Sequence, residues 1–223
     1  MIADSEITGI NRNNIFPKVK LDKDNIIDIA NKAYNNVINK QQQRTTPIVI
    51  NLVGEPSVGK STVAAELFAS MKKQGYSVEL VTEYAKDIVW ENRQDILKHQ
   101  DYVFAKQHRR ISRLIGKVGY IITDSPLILS LLYIEMSNTP KSLIPFIKDV
   151  ISTYKNIYVY LKRAHKYEEI GRMQNELEAN NLRKKLSSVL TDNGIVPLVI
   201  STDDNVVDLI INHIKEINVH RCK

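Results

Sequence analysis

The sequence predicts an α/β fold in which a five-stranded parallel sheet carries helices on both faces. Three observations predict it. From Pro47 onward, short apolar runs rich in β-branched residues alternate with longer stretches of helical spacing, the sequence form of strand, crossover helix and parallel strand. The first run leads directly into the glycine-bearing loop GEPSVGKST. Acidic residues stand just after the second and third runs, where open parallel sheets gather their functional groups.

Taken in order, the strands are expected at 48–53 (IVINLV), 77–82 (SVELVT), 119–123 (GYIIT), 156–161 (NIYVYL) and 196–200 (VPLVI). After the first, Val63, Ala64, Leu67 and Met71 fall on one helical face, and Phe104, Ile111, Leu114 and Ile115 fall on one face of a later helix. Pro140 stands where a further helix can begin, followed by Leu143, Ile144, Ile147 and Ile151. The last helix, at about 204–217, turns Val206, Val207, Leu209, Ile210, Ile211 and Ile214 toward the core. Residues 1–46 are different in kind: rich in Asn and Gln and ending in NKQQQRTT, they form an N-terminal appendage to the domain expected at 47–223. Within the appendage Ile26, Ile27, Ile29, Ala30, Ala33, Val37 and Ile38 recur at spacings of three and four behind Asp24, which predicts one amphipathic helix over 25–39.

Composition sets the outer bounds. At 223 residues the chain is expected to hold one domain with an appendage, and 43% hydrophobic with 25% charged residues excludes general disorder. Its longest apolar run, LILSLLYI at 127–134, is far below the roughly 18 residues of a membrane span. The lone Cys222 allows no internal disulfide, and MIADSEITGINRNNIF lacks the apolar core of a secretory signal, so a cytoplasmic location is expected. A net charge of +6 favours anionic ligands, leaving phosphorylated small molecules and nucleic acid both open as partners. No feature sets the oligomeric state.

The loop matches G-x-x-x-x-G-K-[ST], and its residues Gly54, Glu55, Pro56, Ser57, Val58, Gly59, Lys60, Ser61 and Thr62 are the expected nucleotide-binding set. The glycines let the chain wrap closely around phosphate oxygens while successive N–H groups point inward as an anion nest, and the next helix adds its positive end. Lys60 can reach the β and γ phosphates of ATP, and the Ser61 hydroxyl can ligate Mg²⁺.

Two carboxylates narrow the chemistry. Asp124, after GYIIT, is placed to hold Mg²⁺ with Ser61, the plain alternative being a cap on a helix starting near Pro126. Glu83, in VTEYAKD, is placed across the cleft from the γ phosphate, where it can accept a proton from an attacking hydroxyl; its plain alternative is also a helix cap. After the fourth strand, KRAHKYEEIGRMQ supplies Arg163, Lys166 and Arg172 in a lid-like segment at about 163–175, where mobile bases can close over developing negative charge. Glu168, Glu169, Glu176 and Glu178 allow the alternative of a solvated, internally paired helix.

GEPSVGKST, VTEYAKD, ITDSP, LKRAHKY and GRMQ, in that order between residues 48 and 200, resemble the P-loop nucleoside and nucleotide kinases, with nicotinamide riboside kinase domains and phage-type P-loop kinases the nearest in flavour. The resemblance implies a P-loop NTPase/kinase fold and an ATP-dependent phosphotransferase. It further implies that Lys60 and Ser61 serve ATP and Mg²⁺, that Glu83 or Asp124 is the base, and that Arg163 and Arg172 act from the lid. By the same resemblance Gln107 would correspond to a glutamine that reads the base in deoxynucleoside kinases, the plain alternative for a lone glutamine being a surface residue. The segment DSP departs from the Arg that follows the third-strand acid in deoxynucleoside and thymidylate kinases, which leaves the acceptor open.

The leading expectation is therefore transfer of the ATP γ-phosphoryl group to a nucleoside or nucleotide. A second keeps the chemistry but places the acceptor hydroxyl on a modified base or an end in DNA, motivated by the basic stripe Lys106, Arg109, Arg110, Arg113 and Lys117. A third is a nucleotide-gated interaction protein whose helix at 25–39 binds a partner.

Overall fold

The structure, a computed structural model, describes residues 46–163, 176–202 and 205–221. The chain separates into two units, Met1–Gln42 and Gln43–Lys223. The first unit, and with it the helix expected over 25–39, lies outside the described residues.

The second unit is built on strands β1 (Ile48–Gly54), β2 (Val78–Val81), β3 (Tyr120–Thr123), β4 (Lys155–Lys162) and β5 (Leu198–Ser201). They form one sheet in the order β2-β3-β1-β4-β5 with every pairing parallel, as the alternation of runs predicts. Helices α1 (Lys60–Lys73), α2 (Tyr84–Trp90), α3 (Gln100–Ser112), α4 (Leu129–Ile134), α5 (Leu143–Ser152), α6 (Glu176–Asp192) and α7 (Val206–Arg221) make the connections and the final layer.

Because successive strand residues point to opposite faces, β1 feeds two cores at once. Ile48, Ile50 and Leu52 join Val63, Ala64, Leu67 and Met71 of α1 and Ile210, Ile211 and Ile214 of α7. On the other face Val49 and Val53 join Phe104 and Ile111 of α3, Leu131 of α4, Ile147 of α5 and Leu186 of α6. The expected α1 face is the buried face. Two expectations fail. Ile115 is 46% exposed because α3 ends at Ser112 and the chain turns before reaching it, and Leu209 of α7 is 45% exposed, one position off the buried stripe. The strand ends converge on one edge of the sheet, which sets the positions of Gly54, Glu83 and Asp124. Among the described residues no helix is long and apolar enough to cross a membrane.

Candidate active site

The loop between β1 and α1 is shaped by backbone demands. Gly54 adopts φ +154, and a Cβ there would meet the Leu161 carbonyl at 2.8 Å and the Val58 side chain at 2.9 Å. Gly59 adopts the left-handed φ of +91 at the start of α1, and no side chain among the described residues caps that helix end. Its first amides are therefore left for a ligand, the arrangement in which a helix start receives phosphate. Val58 is buried in the core, so the loop is anchored at its middle.

A cavity of about 410 Å³ opens above this loop, lined by Gly54, Pro56, Ser57, Gly59, Lys60 and Ser61 from the loop and by Glu83 and Asp124 from the strand ends. The structure thus brings together most of the residues singled out in the sequence. Glu55, Val58, Thr62 and Arg163 stand outside this lining, and Arg172 lies outside the described residues. Glu55, 4% exposed, turns its carboxylate onto Arg163 at 3.0 Å and toward Arg183 at 3.7 Å, while the same Arg163 nitrogen donates to the Pro56 carbonyl at 3.1 Å. Two residues of the loop are thereby tied to the end of β4.

The charges inside the cavity oppose their own burial. Desolvation lowers the Lys60 pKa, against the pull of Glu83, Asp124 and Glu55, and its Nζ donates to the Gly54 and Glu55 carbonyls at 3.0 and 2.8 Å. Burial raises the Glu83 pKa and the neighbouring Asp124 charge raises it further; Asp124 is itself raised by burial. Neither carboxylate behaves as a cap. Glu83 precedes α2 without a side-chain capping bond, and the helix after Asp124 begins only at Leu129 with Ile128 ahead of it. Asp124 Oδ1 is buried with no hydrogen-bond partner among the described residues. An oxygen of that kind, sharing a cavity with the Ser61 hydroxyl, suits a hard cation, so these two residues fit Mg²⁺.

A second cavity, of about 520 Å³, adjoins the first. Val89, Leu97, Val103, Pro126, Leu129 and Met136 give it largely apolar walls, with Lys98, Gln100, Gln107 and Ser125 among the polar ones. Glu83, Lys86, Leu129 and Tyr133 line both cavities and so form the seam between them. Lys86 and Tyr133 were not singled out in the sequence. The signal for Lys86 was available, since it stands three residues after Glu83 in the first turn of the helix that follows. No local signal marks Tyr133, which reaches the seam from α4.

Sheet order, loop and strand-end acids define a P-loop nucleotide-binding domain with the fold of the P-loop nucleoside and nucleotide kinases. The family model of the AAA domain matches residues 49–205, and the chain belongs to that family. No curated protein matches the sequence. Among solved structures, NadR in complex with NR is similar at TM-score 0.57 and 19% identity, covering 85% of this chain and 56% of that one. NadR in complex with NAD and AMP-PNP is similar at TM-score 0.59 and 17% identity, covering 87% and 61%. Thymidylate kinase from Ehrlichia chaffeensis is similar at TM-score 0.52 and 17% identity, covering 78% and 98%. The chain thus spans 56% and 61% of the length of the two NadR chains.

Proposed function

We propose that this protein transfers the γ-phosphoryl group of ATP to a hydroxyl or phosphate of a nucleoside or nucleotide. The observation that carries the reading is the seam: Glu83 and Lys86 line both the loop cavity and the larger apolar cavity, so a donor in one and an acceptor in the other meet at these two side chains. The similar NadR structures, solved with NR and with NAD and AMP-PNP, support a nucleotide donor and a nucleoside-sized acceptor.

In this reading the loop amides and Lys60 hold the donor phosphates, and Ser61 and Asp124 hold Mg²⁺, which when bound neutralises charge on the phosphate oxygens. Glu83 accepts the proton of the acceptor hydroxyl as that oxygen forms its bond to the γ-phosphorus; the bond to the bridging oxygen breaks and ADP leaves. The raised Glu83 pKa makes it a better proton acceptor than an ordinary surface carboxylate, provided the pH keeps it ionised. Lys86 faces the charge that develops between donor and acceptor. Arg163 acts on the donor through the loop, by way of Glu55 and the Pro56 carbonyl, and Arg172 is assigned to the lid from its sequence position. The domain responsible runs from residue 47 to 223, with 1–46 appended to it.

One observation favours the second acceptor class. Lys106, Arg109, Arg113 and Lys117 are exposed on and just beyond α3, Tyr102 is exposed on the same helix and Trp90 at the end of α2, a mixture of cations and aromatic faces suited to single-stranded nucleic acid. Arg110 is withdrawn from this stripe by its ion pair with Asp87. Incubation with γ-labelled ATP, Mg²⁺ and a panel of nucleosides, nucleotides and oligonucleotides separates the readings. Label on a nucleoside or nucleotide supports the first, and salt-sensitive label on an oligonucleotide supports the second. ATP binding without label on any acceptor contradicts both and leaves the gated interaction protein.

A further inference from the structure

The turn that carries Glu83 is held from α3. Gln107 is 4% exposed, although an isolated glutamine on a helix is ordinarily a surface residue. Its Oε1 accepts the backbone N–H of Tyr84 at 2.9 Å and its Nε2 donates to the Thr82 carbonyl at 3.3 Å. These are the backbone groups on either side of Glu83. The two bonds also fix the amide orientation, because a flipped amide would set its NH₂ against the Tyr84 N–H and its oxygen against the Thr82 carbonyl. Since no side chain of the turn caps α2, Gln107 supplies from 23 residues away the acceptor that a local cap would otherwise give. Arg110, three residues further along α3, adds a bond to the same Thr82 carbonyl at 3.2 Å, the ion pair with Asp87 and a guanidinium 5.1 Å from the centre of the Tyr84 ring.

We propose that Gln107 is a positioning residue for Glu83 and does not read the acceptor. The inference rests on the phosphoryl-transfer reading for its consequence, though not for its geometry. Reading a base by paired contacts needs the carbonyl and the amino group of a side-chain amide turned together to that base, and in Gln107 the two bonds to the β2–α2 turn hold the amide plane in the orientation the backbone sets. The other amide of the acceptor cavity, Gln100, donates its Nε2 to the Leu97 carbonyl at 2.8 Å. The acceptor is then held chiefly by apolar walls, and discrimination among bases is weak. A fixed turn matters more to Glu83 than to binding, because a proton acceptor displaced by about 1 Å loses most of its effect while a wide apolar cavity still accommodates its ligand.

The test compares wild type, Gln107→Met, Glu83→Gln and the double variant with γ-labelled ATP, Mg²⁺ and the common nucleosides and their monophosphates. Gln107→Met is expected to lower kcat at least tenfold for every acceptor that wild type labels, to leave acceptor KM within threefold, and to keep the order of preference. Because it acts through Glu83, it is expected to add less than a twofold effect in the Glu83→Gln background. A changed order of acceptors with kcat retained, or full additivity in the double variant, overturns the proposal. Amide exchange at Tyr84 gives an answer independent of any acceptor: it is expected to be at least tenfold faster in Gln107→Met, and an unchanged rate overturns the clamp. If wild type labels nothing, the phosphoryl-transfer reading fails while amide exchange still decides whether Gln107 holds the turn. Should Gln107→Met not fold, Gln107→Leu, which likewise removes both bonds to the turn, is read in the same way.

Discussion

Arg163, at the end of β4, sets its guanidinium 3.0 Å from the carboxylate of Glu55, the second residue of the phosphate loop. The pair is buried, 16% exposed on the arginine side and 4% on the glutamate side, whereas Arg183, which approaches the same carboxylate at 3.7 Å, is 49% exposed. Losing the buried carboxylate removes both ion pairs from the loop at once, whereas losing the half-exposed Arg183 removes only the longer one. Glu55→Ala is therefore expected to cost about 3 kcal/mol of stability, within the range for broken buried pairs. Arg183→Gln is expected to cost under about 1 kcal/mol, as exposed pairs do. Urea unfolding of the two variants checks the contrast, and equal losses would contradict it.

Lys60 supplies the compact positive charge of the loop, and in this structure its Nζ rests on the carbonyls of Gly54 and Glu55. A nucleotide is expected to draw it onto the terminal phosphates. Lys60→Ala should retain the fold by circular dichroism and lose roughly 100-fold or more in ATP turnover, the scale of one preorganised charge or donor. Turnover close to wild type in the folded variant would remove Lys60 from the site.

Both carboxylates in the cavity have raised pKa values, chiefly through burial. For an acid whose folded pKa lies above its unfolded one, the folded state holds the proton longer, so stability falls as pH rises from the unfolded to the folded value and stays reduced above it. Glu83→Gln and Asp124→Asn are each expected to raise Tm at neutral pH, with the advantage over wild type shrinking as the pH falls toward 4. Thermal scans across that range check the sign; a Tm below wild type at neutral pH would contradict it.

Asp124 Oδ1 has no hydrogen-bond partner among the described residues and shares its cavity with Ser61. Asp124→Asn is expected to raise the Mg²⁺ concentration for half-maximal turnover by at least about tenfold, the lower end of what lost metal-site groups cost. An unchanged Mg²⁺ requirement would place the metal elsewhere.

Local pattern carried much of this architecture. β1 and α1 were legible because the strand run, the two glycines and the spacing of Val63, Ala64, Leu67 and Met71 all point the same way. Glu83 and Asp124 were legible because strand ends announce themselves as apolar runs meeting an acid. Ile115 was misjudged because helical spacing continues past the residue where the chain turns. The contacts of Gln107 and Glu55 were hidden for another reason. What makes each of them matter is a partner from elsewhere in the chain, Thr82 and Tyr84 for one and Arg163 for the other, and no periodicity records such a pairing.

In the proposed reaction Glu83, at the seam of two cavities, takes the proton of an acceptor as the γ-phosphoryl group moves. The most direct test of this step is the single-turnover rate of label transfer from ATP to the best acceptor of the panel, measured for wild type and Glu83→Gln at saturating ATP and Mg²⁺. The expected rate is lower by roughly 10²- to 10⁴-fold in Glu83→Gln, with ATP affinity nearly unchanged. Equal rates in the two proteins would contradict it.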